Sequence, residues 1–189
     1  MKKSAVILSL TLALLFSNNL FAASATLEYG GTDNVNSSSA GQTFNSLTVR
    51  ENINANFIGD VQYSQTDKDG VGLMYTRAEM ALTPTYQVNQ YFSVYNRIAV
   101  GENYHPTYNW AYWSSETGVR APIGSTGLTA SLAWRFRSAF DPINLDTTRT
   151  WKTGLAYNLT KNDTVGVRYD RTTGDFNQKS YVINYTRKF

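Results

Sequence analysis

Polar and apolar residues alternate along most of this chain, and this alternation restricts the possible folds more than any other feature. Over residues 71–86, one face carries Leu82 while the other carries Arg77 and Glu79. Successive side chains of a β-strand point to opposite sides, so the segment predicts a strand with two chemically different faces. The pattern recurs at 46–56, 91–102, 110–121, 127–140, 147–159 and 164–172. The sequence therefore predicts a single all-β domain over residues 26–189.

The lengths of these segments and of their connections predict ten antiparallel strands. We place them near 26–33, 46–56, 59–66, 71–86, 91–102, 110–121, 127–140, 147–159, 164–172 and 177–189. Short connections alternate with longer polar ones, as in an up-and-down transmembrane β-barrel whose short turns face the periplasm. Single-chain bacterial barrels favour even strand numbers, so eight or twelve strands are the alternatives. A soluble β-sandwich is a weaker alternative.

The chain ends on an aromatic residue that follows an alternating segment. Tyr181, Ile183 and Tyr185 lie on one side of residues 177–189, and Phe189 comes last. Such an ending is typical of the closing strand of a bacterial outer-membrane β-barrel. We therefore expect Phe189 to be an assembly signal for the barrel-insertion machinery, and we expect the protein to reside in the outer membrane.

Residues 1–25 have the pattern of a cleaved signal peptide. Two lysines follow the initial methionine, an apolar run comes next, and Ala23, Ser24 and Ala25 provide a small-x-small cleavage site. The apolar run is too short for a transmembrane helix. Cleavage after Ala22 or Ala23 is an alternative.

Charge and composition narrow the class of protein further. The chain has 17 basic residues, and removing the two leader lysines leaves 15 against 14 acidic residues, so the mature chain is nearly neutral. Thirteen tyrosines and four tryptophans suit a membrane interface. The mean hydropathy is −0.35, and no segment after the signal peptide is apolar enough for a membrane helix. Together these features exclude a helical membrane protein but fit strands that are only half apolar. The absence of cysteine excludes disulfides and thiolate chemistry.

Charged side chains fall mainly on the polar face, so we expect most of them inside the barrel. An arginine at the bilayer midplane costs about 2–4 kcal/mol, and the apolar face must therefore meet lipid. The predicted lumen-lining, anion-binding bases are Arg50, Arg77, Arg97, Arg120, Arg135, Arg137, Lys152 and Arg168. The predicted inward acids are Asp60, Glu79, Glu116 and Asp170. Eight bases against four acids predict a lumen of formal charge +4. Glu51 is an exception, because alternation directs it towards lipid.

A basic lumen inside low-dielectric walls favours anions. We therefore expect a narrow porin-like barrel that passes or binds small anions or acidic oligosaccharides. Arg135 and Arg137 should carry much of this preference for anions. No acid lies beside them on their strand, so we expect them to be the bases least neutralised locally. The alternative is a non-conducting structural or surface-interaction barrel whose lumen is filled by ion pairs, such as Lys152 with Asp170 across a predicted hairpin.

Signals for catalysis, metal binding and cofactors are weak. His105 is the only histidine, and its predicted outer loop includes Glu102 but no convincing nucleophile. One histidine and no cysteine argue against a transition-metal site, and the chain has no phosphate loop or dinucleotide fingerprint. We expect no enzyme activity, no metal, no cofactor and no nucleic-acid partner. The aromatic residues near strand ends are interpreted as interface anchors.

These features together resemble small Gram-negative outer-membrane β-barrel proteins and, more weakly, the oligogalacturonate-specific and sialic-acid-type porins. The resemblance rests on the signal peptide, the alternating strands, the arginine-lined face and the segment from Tyr157 through Arg168-Tyr169-Asp170 to Phe189. It implies inward arginines that guide acidic oligosaccharides. We expect outer-membrane lipid and lipopolysaccharide around the barrel, with the barrel-assembly machinery as a partner.

Overall fold

The chain forms a closed barrel of ten antiparallel strands, in a computed structural model that describes residues 24–35, 41–68, 71–144 and 146–189. The strands are β1 (Ser24–Asn34), β2 (Gln42–Asn54), β3 (Phe57–Lys68), β4 (Gly72–Asn89), β5 (Phe92–Tyr104), β6 (Asn109–Pro122), β7 (Leu128–Ala139), β8 (Thr148–Asn158), β9 (Asp163–Gly174) and β10 (Gln178–Lys188). Each strand pairs with its neighbours in the chain, and β1 pairs with β10. The predicted ten-stranded up-and-down barrel is therefore confirmed, and the alternatives of eight or twelve strands are excluded.

The barrel closes along a seam between its first and last strands. Ser24 pairs with Lys188 at one end, and the hydroxyl oxygens of Thr26 and Thr186 are 2.8 Å apart across the seam. Closure leaves no unpaired strand edge, which a sheet surrounded by hydrocarbon requires. Phe189 follows β10 and is 75% exposed. Its role as an assembly signal stays a prediction.

Burial is inverted relative to a soluble protein. Among the described residues, fifteen buried residues are polar or charged and six are apolar. Large apolar side chains lie on the outside instead: Met80 is 62%, Ile98 56% and Ile183 64% exposed. An apolar exterior suits contact with hydrocarbon, while the polar interior must be wet or internally hydrogen-bonded. The described ranges contain no helix that is long and apolar enough to cross a membrane.

The turn between β2 and β3 lies two residues before its predicted position. We expected the connection at 57–58, but Ala55 and Asn56 form the turn and Phe57 begins β3. The backbone N–H of Asn56 donates to Oδ1 of Asn54 at 2.9 Å, which is the local side-chain contact that favours Asn in turns. The prediction was wrong because the apolar Phe57 continues the alternation of the preceding strand and hides this turn.

Glu51 keeps the outward orientation that alternation predicts. It pairs with Gly59 and lies between the inward positions Arg50 and Asn52. The register shift in this ladder comes after Asn52, so no bulge turns Glu51 inwards. Its Oε2 is buried without a hydrogen-bond partner in the described part of the chain, close to the β2–β3 turn.

The predicted signal peptide falls almost entirely on residues 1–23, outside the described residues. Ser24 and Ala25 are already paired within β1. The cleavage position stays a prediction.

Candidate functional site

A polar cavity of about 500 Å³ occupies the lumen. Lys68, His105 and Phe176 line it near the longer loops, and it reaches inwards to Arg50 and Glu116. All ten strands contribute lining residues, so the closed barrel itself positions the site. We call this cavity the vestibule.

Seven of the eight predicted bases line the vestibule. They are Arg50, Arg77, Arg97, Arg135, Arg137, Lys152 and Arg168. The eighth, Arg120, points into the lumen on β6, with its guanidinium carbon 4.4 Å from the ring centroid of Tyr95. The alternation of the strands thus placed these side chains correctly, while their partners depend on the cross-section of the barrel.

Glu79 lies at the centre of a chain of ion pairs inside the lumen. Its Oε1 is 2.5 Å from Arg97 Nη1, and its Oε2 is 2.7 Å from Arg135 Nη2. Arg97 also binds Asp60, with Nη2 2.6 Å from Oδ1 and Nε 3.1 Å from Oδ2. The hydroxyl of Tyr112 donates to Glu79 at 2.7 Å. These five residues, the central network, join β3, β4, β5, β6 and β7 through buried charges that all have partners.

A second carboxylate, Asp146, reaches the lumen from the β7–β8 loop. It forms an ion pair with Arg137, and it accepts hydrogen bonds from Trp110 Nε1 at 2.8 Å and Asn103 Nδ2 at 3.3 Å. Arg77 Nε donates to Asn103 Oδ1 at 2.8 Å. The loop acid and the wall bases therefore form an outer network above the central one.

The remaining pairs lie on the other side of the lumen. Arg168 Nη1 is 2.7 Å from Glu28, and its Nε is 2.9 Å from Asp170. Lys152 is opposite Asp170 in the β8–β9 register, as predicted, but its ammonium nitrogen binds Glu116 at 2.6 Å. A base in this lumen thus selects a carboxylate across the cavity over the one facing it in the ladder.

Three of the predicted bases have no carboxylate within ion-pair distance in the described ranges: Arg50, Arg77 and Arg120. Arg50 Nη1 donates to Thr26 Oγ1 at 2.7 Å. The Arg77 guanidinium carbon lies 5.5 Å from the ring centroid of Tyr112, within cation–π range. These side chains contact neutral groups, and no carboxylate in the described ranges pairs with them.

The predicted charge tally needs a correction. Glu28 and Asp146 are additional lumen acids, and Lys68 is an additional base at the mouth. Nine bases against six acids give a formal excess of three, instead of four. Alternation along β1 could have revealed Glu28, which lies between the outward Leu27 and Tyr29; the inward fold of the β7–β8 loop has no such signal.

The expectation that Arg135 and Arg137 are the least neutralised bases is wrong. Arg135 is paired with Glu79 and Arg137 with Asp146. The expectation considered only acids on the same strand, whereas the actual partners come from β4 and from the β7–β8 loop. Arg77, which has an acid two residues away on its own strand, is among the three predicted bases without an ion pair in the described ranges.

Aromatic side chains gather at the mouth of the vestibule, a feature that the sequence did not single out. The rings of His105 and Tyr108 have centroids 4.8 Å apart, and those of Tyr108 and Trp110 5.2 Å apart. Phe44 and Phe176 also line the cavity. The inward position of Trp110 follows from alternation with Tyr112 and Glu116, whereas the loop residues had no periodic signal.

The single histidine belongs to this aromatic group. Its Nδ1 is 3.0 Å from Thr107 Oγ1, and its ring packs on Tyr108. No group of three or more histidine and carboxylate side chains with metal-binding geometry occurs in the described ranges.

Comparisons with known proteins add information on the fold. No protein-family model matches the chain, and no curated protein matches it. Among the similar solved structures is the KdgM porin in complex with disordered oligogalacturonate, with 10% sequence identity and a TM-score of 0.53 over 88% of this chain and 99% of that one. The NanC porin has 9% identity and a TM-score of 0.52 over 87% of this chain and 100% of that one. The COG4313 outer membrane channel from Pseudomonas putida F1 has 8% identity and a TM-score of 0.58 over 93% of this chain and 100% of that one. At these identities the likeness shows the fold alone, and that fold is the small bacterial outer-membrane β-barrel.

Proposed function

We propose that this protein is a non-enzymatic porin whose vestibule binds small acidic solutes, carboxylated sugars in particular, and passes them through the outer membrane. The observation that carries the proposal is that some lumen arginines are paired with carboxylates and others are not. Arg97 holds Asp60 by two hydrogen bonds, and Arg77 and Arg50 hold no carboxylate in the described chain. The same lumen therefore contains arginines that already bind a carboxylate and arginines that could still bind one from a solute.

The paired arginines support exchange rather than a fixed obstruction. An entering carboxylate can replace Glu79 or Asp146 on one guanidinium without leaving the displaced acid unpaired, because each acid has more than one donor. Binding sites that are favourable but replaceable are what conduction requires, since a solute must be able both to enter and to leave.

The aromatic mouth adds a preference for ring-shaped solutes. The His105, Tyr108 and Trp110 rings lie in a row above the arginines, with neighbouring centroids about 5 Å apart. Aromatic faces stack on flat or weakly polar ring surfaces, so they can hold the ring of a sugar while arginines bind its carboxylate. The KdgM porin, a barrel of the same fold, was solved in complex with an oligogalacturonate, which is an acidic sugar.

A non-conducting scaffold is the second candidate, and the central network favours it. Glu79 is only 1% exposed and links its own strand, β4, to β5 and β7 through Arg97 and Arg135. Small barrels are often filled by their own side chains. If this network never opens, the vestibule is a blind pocket on the outer surface.

Planar-bilayer recording under a salt gradient tests both candidates. We expect the wild-type barrel to conduct, to prefer anions, and to be blocked by trigalacturonate more strongly than by a neutral trigalactoside. Replacing Arg50 and Arg77 together by Gln should weaken the block at least about tenfold, because two charge-assisted contacts are lost. Lys161→Gln, in the exposed β8–β9 turn, is the matched control and should leave the block unchanged.

The outcomes separate cleanly. A barrel that assembles but passes no current supports the scaffold. A barrel that conducts but prefers cations contradicts the proposed porin, because the excess of lumen bases would then not govern permeation.

A further inference from the structure

Charged side chains on the outside of the barrel are divided between two sides of the outer rim. Arg149, Arg171 and Lys179 point outwards at the loop ends of β8, β9 and β10. Asp67 and Glu102 point outwards at the loop ends of β3 and β5. The outer rim is thus basic over three adjacent strands, with Asp33 beside them on β1, and acidic on the opposite side.

The basic rim places like charges beside one another. Arg171 and Lys179 are directly opposite in the β9–β10 ladder, and Arg149 is diagonal to Arg171 across the β8–β9 ladder. Directly opposed like charges destabilise a sheet. In the described ranges none of the three has a carboxylate within ion-pair distance, although Asp33 faces Lys179 in the β1–β10 ladder. An external anion bound between these side chains would reduce their mutual repulsion.

The orientation of Arg171 is fixed without neutralising its charge. Its Nη1 donates to the backbone carbonyl oxygens of Thr172 at 2.7 Å and Gln178 at 3.1 Å. Both contacts use one nitrogen, so the remaining N–H donors of the guanidinium stay available to a ligand.

An apolar groove of about 550 Å³ lies on the lipid-facing surface directly below this rim. Two successive rows of residues across β1, β10, β9 and β8 form it: Gly31, Tyr181, Tyr169 and Thr153 in the upper row, and Tyr29, Ile183, Val167 and Leu155 in the lower row. The row immediately above contains Lys179 and Arg171. One row corresponds to about 7 Å along a strand, so the bases lie just above the groove.

Gly31 makes the groove possible. It faces outwards between Tyr29 and Asp33, and no heavy atom lies within 4 Å of where its Cβ would be. The rings of Tyr169 and Tyr181, with centroids 5.3 Å apart, form the headgroup-side wall of the groove. Tyrosine at this level marks the boundary between hydrocarbon and headgroups.

We propose that this surface binds one lipopolysaccharide molecule of the outer leaflet, with a phosphate of its lipid A on Arg171 and Lys179 and an acyl chain in the groove. The rim lies at the loop end, which faces the outer leaflet in this fold. A second copy of the chain is a poor occupant, because a twofold contact here would bring two basic rims together. A phosphorylated acyl lipid complements both the charge and the apolar groove.

The test titrates deep-rough lipopolysaccharide into the purified full-length barrel in detergent, read by native mass spectrometry. The wild type should bind one molecule. Arg171→Gln with Lys179→Gln should weaken binding about tenfold or more, since charge-assisted contacts are lost. Gly31→Leu should also weaken it several-fold by filling the groove, without disturbing the fold. Lys161→Gln with Lys188→Gln removes the same charge at the opposite rim and should change nothing.

The proposal also predicts that phosphatidylglycerol, which has a phosphate but fewer acyl chains, binds more weakly than lipopolysaccharide. Equal weakening in the opposite-rim control would show that only overall charge matters and would overturn the site. Wild-type binding by the Gly31→Leu variant would overturn the groove. A dimer that Gly31→Leu abolishes would overturn the lipid site and assign this surface to a second copy of the chain.

Discussion

The two halves of the lumen wall are built in different ways. On the side of β4–β7, which we call the charged wall, long side chains such as Glu79, Arg97 and Arg135 extend into the barrel and bind one another. On the side of β1, β2, β8, β9 and β10, the hydroxyl wall, Thr and Ser are seven of the sixteen lining residues, for example Thr48 and Thr150. The vestibule is therefore displaced towards the hydroxyl wall.

The two walls therefore have different roles. The charged wall makes the barrel rigid, and the hydroxyl wall leaves room for the vestibule. Ion pairs in the charged wall join strands that are not neighbours in the sheet, such as β4 and β7, so a change in one residue affects several strands. The hydroxyl wall is held mainly by contacts between neighbouring strands, such as the 3.0 Å hydroxyl pair of Thr150 and Thr172. A solute would move along short polar side chains on one side and meet guanidinium groups on the other.

The largest expected effect comes from removing the centre of the charged wall. Glu79→Leu leaves Arg135 without an ion pair and removes the acceptor of Tyr112. We expect a loss of about 3–5 kcal/mol in the free energy of unfolding, as for other broken buried pairs. Urea unfolding of the refolded barrel, followed by heat-modifiable gel migration, measures it. Glu28→Leu on the hydroxyl wall should cost clearly less, since Arg168 retains Asp170; equal losses would contradict the distinction between the walls.

An intermediate effect is expected from a methyl group on the charged wall. A Cβ at Gly101 would lie 2.6 Å from Cζ of Tyr112 and 2.8 Å from the carbonyl oxygen of Ala78, so Gly101→Ala must displace the tyrosine. The cost should be about 1–3 kcal/mol, typical of overpacking. The same unfolding assay applies. Gly31→Ala, where the added methyl group meets no atom within 4 Å, is the control and should unfold like the wild type.

The smallest effect is expected on the hydroxyl wall. Thr150→Val removes the hydroxyl pair with Thr172 and keeps the shape of the side chain. We expect a loss of about 1 kcal/mol or less, because the Thr172 hydroxyl can turn to water in the vestibule. Unfolding of the variant beside the wild type tests this. A loss as large as that of Glu79→Leu would mean that both walls depend on buried polar networks.

Sequence reasoning succeeded where the determining interactions are local. Strand number, barrel topology and the inward direction of all eight bases follow from side-chain alternation, which needs no knowledge of distant residues. It failed where the barrel brings together strands that are far apart. Arg135 and Glu79 lie on strands separated by two others, and the pairing depends on the diameter of the barrel and on the reach of a guanidinium.

Two further features were not predicted correctly from the sequence, and in both cases the reason lies in a loop or a turn. Asp146 reaches the lumen because the β7–β8 loop folds inwards, and loops lack the periodicity that would show this. The β2–β3 turn was misplaced because Phe57 extends the apolar pattern past the turn formed by Ala55 and Asn56. Periodicity therefore identifies faces well and boundaries poorly when a turn residue happens to have the expected polarity.

The seam between β1 and β10 means that the choice of the first strand in the chain does not affect the folded barrel. Because Ser24 is paired with Lys188, a hairpin linker of about two to five residues could join these positions, and new ends could be opened between His105 and Tyr108. In topological terms the folded barrel is a cycle with no first strand. A circularly permuted chain would keep every ladder and both walls of the lumen, while Phe189 would lie inside the chain.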